Sequence, residues 1–220
     1  MAEKDPQLEY QCDPGLGCGS DLARPGLLNK HVLWLVIGLN FAMFLVEVAA
    51  GLMAGSIALL ADAIDFLSDT ASYGIALYVL NKSLTWRAGA AMLKGIAMLV
   101  FGLWVLYMAI TAMMGLHQPE PMTMGVVGTM AFVVNLVSAY LVFRFSKGDS
   151  NLRSVWICSR NDAIANLAVV LAASGVFALS AGWPDIMVAL IIAGLALWGS
   201  VQIITHSVTE LKSLKEESPK

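Results

Sequence analysis

Apolar residues gather into six long runs, near 31–53, 57–80, 88–115, 122–145, 154–179 and 184–207, separated by short polar breaks. Each run is near or above the ~20 residues a helix needs to cross the hydrocarbon of a bilayer. A segment in lipid must satisfy its own backbone hydrogen bonds, which a helix does and an open strand does not. The runs lack the apolar–polar alternation of an outer-membrane barrel. The pattern therefore predicts an all-α, polytopic membrane protein with six transmembrane helices. Composition agrees. The 220 residues are 58% hydrophobic and 13% charged, and the charged share is about half the roughly 25% of soluble domains.

The breaks carry an orientation signal. GLMAGS, LHQPEP and SAGWPD contain no Lys or Arg, whereas LNKSLTWR and RFSKGDSNLR hold Lys82, Arg87, Arg144, Lys147 and Arg153. The tails add Lys4, Arg24, Lys30, Lys212, Lys215 and Lys220. Positive charge marks the cytoplasmic side, so both termini are expected in the cytoplasm and the protein in the cell (inner) membrane. Trp34, Trp86, Trp156 and Trp183 fall near segment ends, as interfacial anchors do. The expected organisation is a flexible cytoplasmic tail over 1–29, a six-helix transmembrane domain over 30–207, and a short cytoplasmic tail over 208–220. The acidic first 29 residues have no apolar core that would read as a cleavable leader.

Charge and motifs also exclude function classes. No basic stripe or recognition motif supports a nucleic-acid partner. There is no HExxH, Ser-centred elbow or nucleophile–base pair, so the chain reads as a non-enzyme without a resident cofactor. The partner that composition alone implies is the lipid bilayer.

The feature that asks for chemistry is LLADAIDFLSDTASYG, residues 59–74. At about 100° per residue, Asp62, Asp65 and Asp69 fall within roughly 60° of one another on a helix. A carboxylate facing lipid is costly, so this stripe must face protein or water. Ser68 and Ser72 add polar lining nearby. In the fifth run, Cys158 and Asp162 are four apart and share a helix face, which Asn166 extends. In the first run, Asn40 and Glu47 are cofacial, and Gly51 and Gly55 continue that face, where small residues permit close helix approach.

Two helices that each carry an i, i+4 pair can bring four ligands to one point. Asp65 and Asp69 facing Cys158 and Asp162 would supply three carboxylates and one thiolate, a set suited to a divalent cation in tetrahedral geometry. The ion would offset the charge that makes the stripe costly. Ligands must lose protons to bind metal, so ion passage and proton passage are linked.

The run SIALLADAIDFLSDTASY, followed by NLRSVWICSRNDAIANLAVV, resembles the cation diffusion facilitator family of divalent-metal transporters, over about residues 30–207. The resemblance implies six helices and an intramembrane site built from a His/Asp-x-x-x-Asp pair on the second helix and a His-x-x-x-Asp pair on the fifth. Here these read DFLSD, Asp65 to Asp69, and CSRND, Cys158 to Asp162. Two departures stand out. Cys158 occupies the usual His position, and thiolate favours softer ions such as cadmium, while zinc accepts both ligand types. The family's cytoplasmic metal-binding domain after the sixth helix is not expected here, so a homodimer would form through the membrane helices.

The remaining polar residues admit more than one role. Asp62 fits a cavity lining, a proton relay or a bond to a neighbouring helix. Asn40, Glu47 and Asn166 fit a water-filled pathway, support for the ligands, or helix bridging. Lys94 is expected to snorkel to the cytoplasmic surface, and Arg160 to do the same or to pair with an acid. Cys12 and Cys18 suit capture of a soft metal, or are incidental in a flexible tail. The expected function is export of zinc and/or cadmium from the cytoplasm in exchange for protons. The alternative is a membrane metal sensor or accessory subunit that transports nothing itself.

Overall fold

The computed structural model describes residues 30–78, 84–115, 118–145 and 152–216. All secondary structure among them is helical: α1 Lys30–Ala54, α2 Ile57–Tyr78, α3 Leu84–Met113, α4 Pro121–Phe145, α5 Leu152–Leu179 and α6 Trp183–Glu216. α1, α4 and the apolar parts of α3 (88–113) and α6 (183–214) are each long and apolar enough to cross a membrane. α2 does not meet that measure, and its sequence shows why: three aspartates interrupt 22 residues.

α2 instead lies at the centre of the bundle. It contacts each of the other five helices. Around it α1, α4, α5, α6 and α3 follow one another, with α3–α6, α1–α2 and α4–α5 the most extensive pairings and α2–α4 and α2–α5 the slightest. The exposed large apolar side chains lie on the outer helices, for example Leu45 on α1, Tyr107 on α3, Tyr140 on α4, Leu171 on α5 and Ile191 on α6. Among the described residues α2 exposes none. Its stretch from Ile57 to Ile64 is buried without a break, and Phe66 below it is fully buried. Removing α2 from lipid is what makes its carboxylates tolerable.

The α1–α2 connection is set by one glycine. Gly55 adopts φ +67°, the left-handed conformation that glycine enters without a Cβ clash. The Ser56 amide then donates to the Gly51 carbonyl at 2.9 Å, the six-to-one bond of a Schellman cap. Close approach belongs to Gly51, where a Cβ would sit 2.9 Å from the Leu60 side chain, whereas a Cβ on Gly55 would meet nothing within 4 Å. The expected pair of packing glycines is thus one packing position and one turn. α3 and α6 meet in the same close way at Gly95 and Gly102, whose Cβ atoms would lie 2.9 Å from Ile204 and Leu197.

Two boundaries differ from the expected ones. α3 starts at Leu84, four residues before the apolar run begins, and α6 continues through residue 207 to Glu216. Stretches of mixed polarity extend both helices beyond the apolar run. Trp34, Trp86 and Trp183 are exposed near helix ends, as interfacial anchors require.

Candidate functional site

The acidic stripe of α2 is a structural fact. Asp62 and Asp69 are buried, and Asp65 stands half-buried on the wall of a cavity of about 560 Å³. The same cavity is lined by Ser68 of α2, Asp162 of α5, and Trp198 and Gln202 of α6. Asp65 and Asp162 therefore come from different helices to one space. Asp65 is also within side-chain reach of Asn135 on α4, and one of its oxygens, Oδ2, has no hydrogen-bond partner among the described residues. A space of this size is far above the ~30 Å³ share of one water, so it has room for an ion with water around it.

Charge crowds this region. Asp162 lies within electrostatic reach of Asp65, Asp69 and Asp62. Glu47 of α1 is fully buried and lies within electrostatic reach of Asp62 and Asp65. Neither Glu47 nor Asp62 makes a well-aligned hydrogen bond with any described residue through either carboxyl oxygen. Buried carboxyls without partners are costly in protein and in lipid alike. Such groups persist where something besides packing requires them.

Lys94 departs from expectation. It does not snorkel; it is buried on α3, and its Nζ donates to Ser72 Oγ of α2 at 2.6 Å. Its ammonium interacts electrostatically with Asp69 and Asp65. The early start of α3 is the reason. Lys94 lies ten residues inside the helix, about 15 Å along its axis, which is too deep for an easy return to the surface.

The polar helpers divide. Asn40 donates from Nδ2 to the Val36 carbonyl at 2.9 Å and to Ser138 Oγ of α4 at 3.3 Å, so it bridges α1 to α4. Asn166 donates to the Asp162 carbonyl at 2.8 Å, with its Oδ1 buried and unpartnered among the described residues. The side chains of Cys158 and Arg160, and all of Cys12 and Cys18, lie outside the described residues. Among the described residues no three His, Cys, Asp or Glu groups gather closely enough to hold a metal ion. What is brought together is the Asp65–Asp162 pair.

Three polar residues escaped the sequence reading, two beside the site and one at the start of α2. Asn135 and Gln202 are single amides whose partners at the site lie on other helices, which no local spacing marks. Asp185, in the first turn of α6, accepts hydrogen bonds from the start of α2. Its signal was WPD, a Pro and an acid at a helix start, but nothing local says whose amides it caps.

The sequence of the cation efflux transmembrane domain matches residues 33–212. The chain is 26% identical over 196 residues to the cadmium, cobalt and zinc/H(+)-K(+) antiporter of Bacillus subtilis, a match covering 82% of this chain and 62% of that protein. It is 26% identical to the metal cation efflux system protein CzcD of Cupriavidus metallidurans, covering 83% and 60%, and 26% identical to the zinc transporter ZitB of Escherichia coli, covering 83% and 63%. The chain thus spans about three fifths of the length of these curated relatives. The domain match runs from the first turn of α1 to the last turns of α6 and leaves no helix of the bundle outside it, and by that extent the chain belongs to the cation efflux family, the cation diffusion facilitators.

Proposed function

We propose that the protein is a secondary transporter that exports divalent cations, zinc and/or cadmium, from the cytoplasm across the cell membrane in exchange for protons. The observation that carries this reading is the cavity shared by Asp65 of α2 and Asp162 of α5. Asp69, one turn along α2, and Cys158, one turn before Asp162, complete a four-ligand set on these two helices. Such a set binds a divalent ion as tetrahedral O and S ligands. Family membership supports the substrate class, and the relatives named for cadmium, cobalt and zinc support the ions.

The mechanism follows from ligand chemistry. Metal binding requires the carboxyls and the thiol to lose their protons. Protons entering from outside compete for the same oxygens and sulfur and release the ion. The slight α2–α5 contact, beside extensive α4–α5 packing, supports movement between the two ligand-bearing helices. Alternate exposure of the site to the two sides then moves ions one way and protons the other. Asn40, Glu47, Asp62 and Asn166 line the pathway or support the ligands. In this reading both termini lie in the cytoplasm, residues 1–29 and 208–220 flank the transmembrane domain, and two copies associate through membrane helices.

The test is flux in proteoliposomes containing the purified protein, zinc against cadmium, with and without a proton gradient. Gradient-dependent flux that Asp162→Ala abolishes in a folded protein supports the reading. Tight binding with no flux replaces it with a sensor or accessory subunit, and full flux in Asp162→Ala refutes the site.

A further inference from the structure

A buried lysine in a membrane bundle is costly unless something compensates it. Lys94 is the buried Lys or Arg among the described residues, and its surroundings show where the compensation comes from. Its Nζ is 2.6 Å from Ser72 Oγ, and Ser72 lies three residues beyond Asp69 on α2, about 4.5 Å along the axis. The ammonium interacts with Asp69 first and Asp65 second. It sits at one end of the acidic stripe, facing the two α2 carboxylates assigned above to the ion.

The backbone that carries Lys94 is held firmly. At the next residue, Gly95, a Cβ would meet Ile204 at 2.9 Å and Ile203 at 3.1 Å, so α3 lies hard against α6. α3 and α6 are thus tightly packed beside the lysine. The side chain itself is a flexible four-carbon stem ending in a compact charge. A fixed root and a movable ammonium make a tether of limited reach.

We propose that Lys94 is a built-in cation that neutralises Asp69 and Asp65 when no divalent ion is bound, and that an incoming ion must displace its ammonium to gain those carboxylates. This rests on the reading of Asp65 and Asp69 as ligands. The lysine weakens ion binding by like-charge repulsion. It also helps release, because the ammonium is at hand to retake the carboxylates as the ion departs. A site with three carboxylates and a thiolate would otherwise hold its ion too tightly to turn over. Transport needs binding that is favourable enough to capture and weak enough to let go. A lysine with a merely structural role predicts the opposite sign: neutralising it would destabilise the bundle and leave affinity unchanged or reduced.

The experiment is calorimetric titration of the purified full chain with zinc chloride and with cadmium chloride, for wild type, Lys94→Gln, Lys94→Met and Lys94→Arg, each checked for a monodisperse, folded state. The neutral variants are expected to bind at least about tenfold tighter and to release ions more slowly in flux assays, as removal of a nearby like charge requires. Lys94→Arg retains the charge and is expected to stay close to wild type. Unchanged or weaker affinity in a folded neutral variant overturns the proposal while the ligand assignment stands, provided Asp162→Asn still abolishes binding. If wild type binds neither ion, the ligand assignment falls and this proposal with it. Should the neutral variants not fold, the wild type answers by lysine labelling: saturating zinc is expected to raise the reactivity of Lys94 towards a small amine reagent. Unchanged or lower reactivity overturns the displacement.

Discussion

Asp185 and Ser56 are joined by a 2.7 Å hydrogen bond across 129 positions of chain. The same carboxylate accepts from the amides of Ile57 at 2.8 Å and Ala58 at 3.1 Å, while Ser56 Oγ in turn accepts from the Leu59 amide at 3.2 Å. A negative charge thus sits where the α2 dipole is positive, and free amides of the first turn find partners. Asp185→Ala should strand these donors in a buried place and cost about 1–3 kcal/mol. The expected result is a lower melting temperature in detergent, with Asp185→Asn between Ala and wild type. An unchanged melting temperature for Ala contradicts the cap.

Glycines in the bundle should separate by surroundings. Gly95→Val forces a side chain into Ile204 and Ile203 at the α3–α6 contact, and overpacking of this kind costs about 1–3 kcal/mol. Gly194, also helical, has nothing within 4 Å of a Cβ. Gly194→Ala is therefore expected to be neutral or to gain up to about 1 kcal/mol of helix propensity. Thermal unfolding of the two variants side by side checks the ranking.

The Glu47–Asp62 pair predicts function lost without stability lost. No well-aligned hydrogen bond satisfies either carboxyl among the described residues, so Glu47→Gln and Asp62→Asn remove costly ionisable groups at nearly constant shape. Melting temperatures should hold or rise, whereas ion flux should fall. Equal flux in both amide variants would show that the pair takes no part in passage.

Cys158 should govern ion preference. Cys158→His exchanges a soft sulfur ligand for imidazole and is expected to shift the zinc-to-cadmium flux ratio towards zinc. Cys158→Ala should weaken both ions, cadmium more. Competition of the two ions in one flux assay reads the ratio directly, and an unchanged ratio in Cys158→His removes the cysteine from the ligand set.

How much of this was legible beforehand depends on the range of the signal. Six helices followed from segment length and apolarity, both local properties. The stripe of Asp62, Asp65 and Asp69 followed from helical period, again within one segment. Lys94 was misjudged because the mixed stretch 84–87 extends α3 beyond its apolar run, which places the lysine a turn deeper than hydropathy implies. Asp185 and Asn135 were not legible because their partners lie on other helices: Asp185 on the start of α2, Asn135 beside Asp65. Pairing across a bundle has no period in the sequence. Gly55 was placed correctly and read wrongly, since a glycine for close approach and one for a left-handed turn look the same in a string.

The central position of α2 bears on how the protein is made. Each aspartate near the middle of a membrane helix costs about 2.5–3.5 kcal/mol to insert, and α2 holds three in 22 residues. During synthesis only α1 is available as a companion, and it covers one face. The acid face is completed by α5 and by Lys94 of α3, both still unmade. α2 is therefore expected to wait at the insertion machinery or the interface until later helices arrive. Glycosylation reporters on chains truncated after α2, α3 and α6 would show it, with stable spanning by α2 only in the longer ones. Full spanning in the shortest chain would refute this order. The residues that fit the helix for ions make it a poor guest in lipid, so its place in the membrane is given to it by helices the ribosome has yet to make.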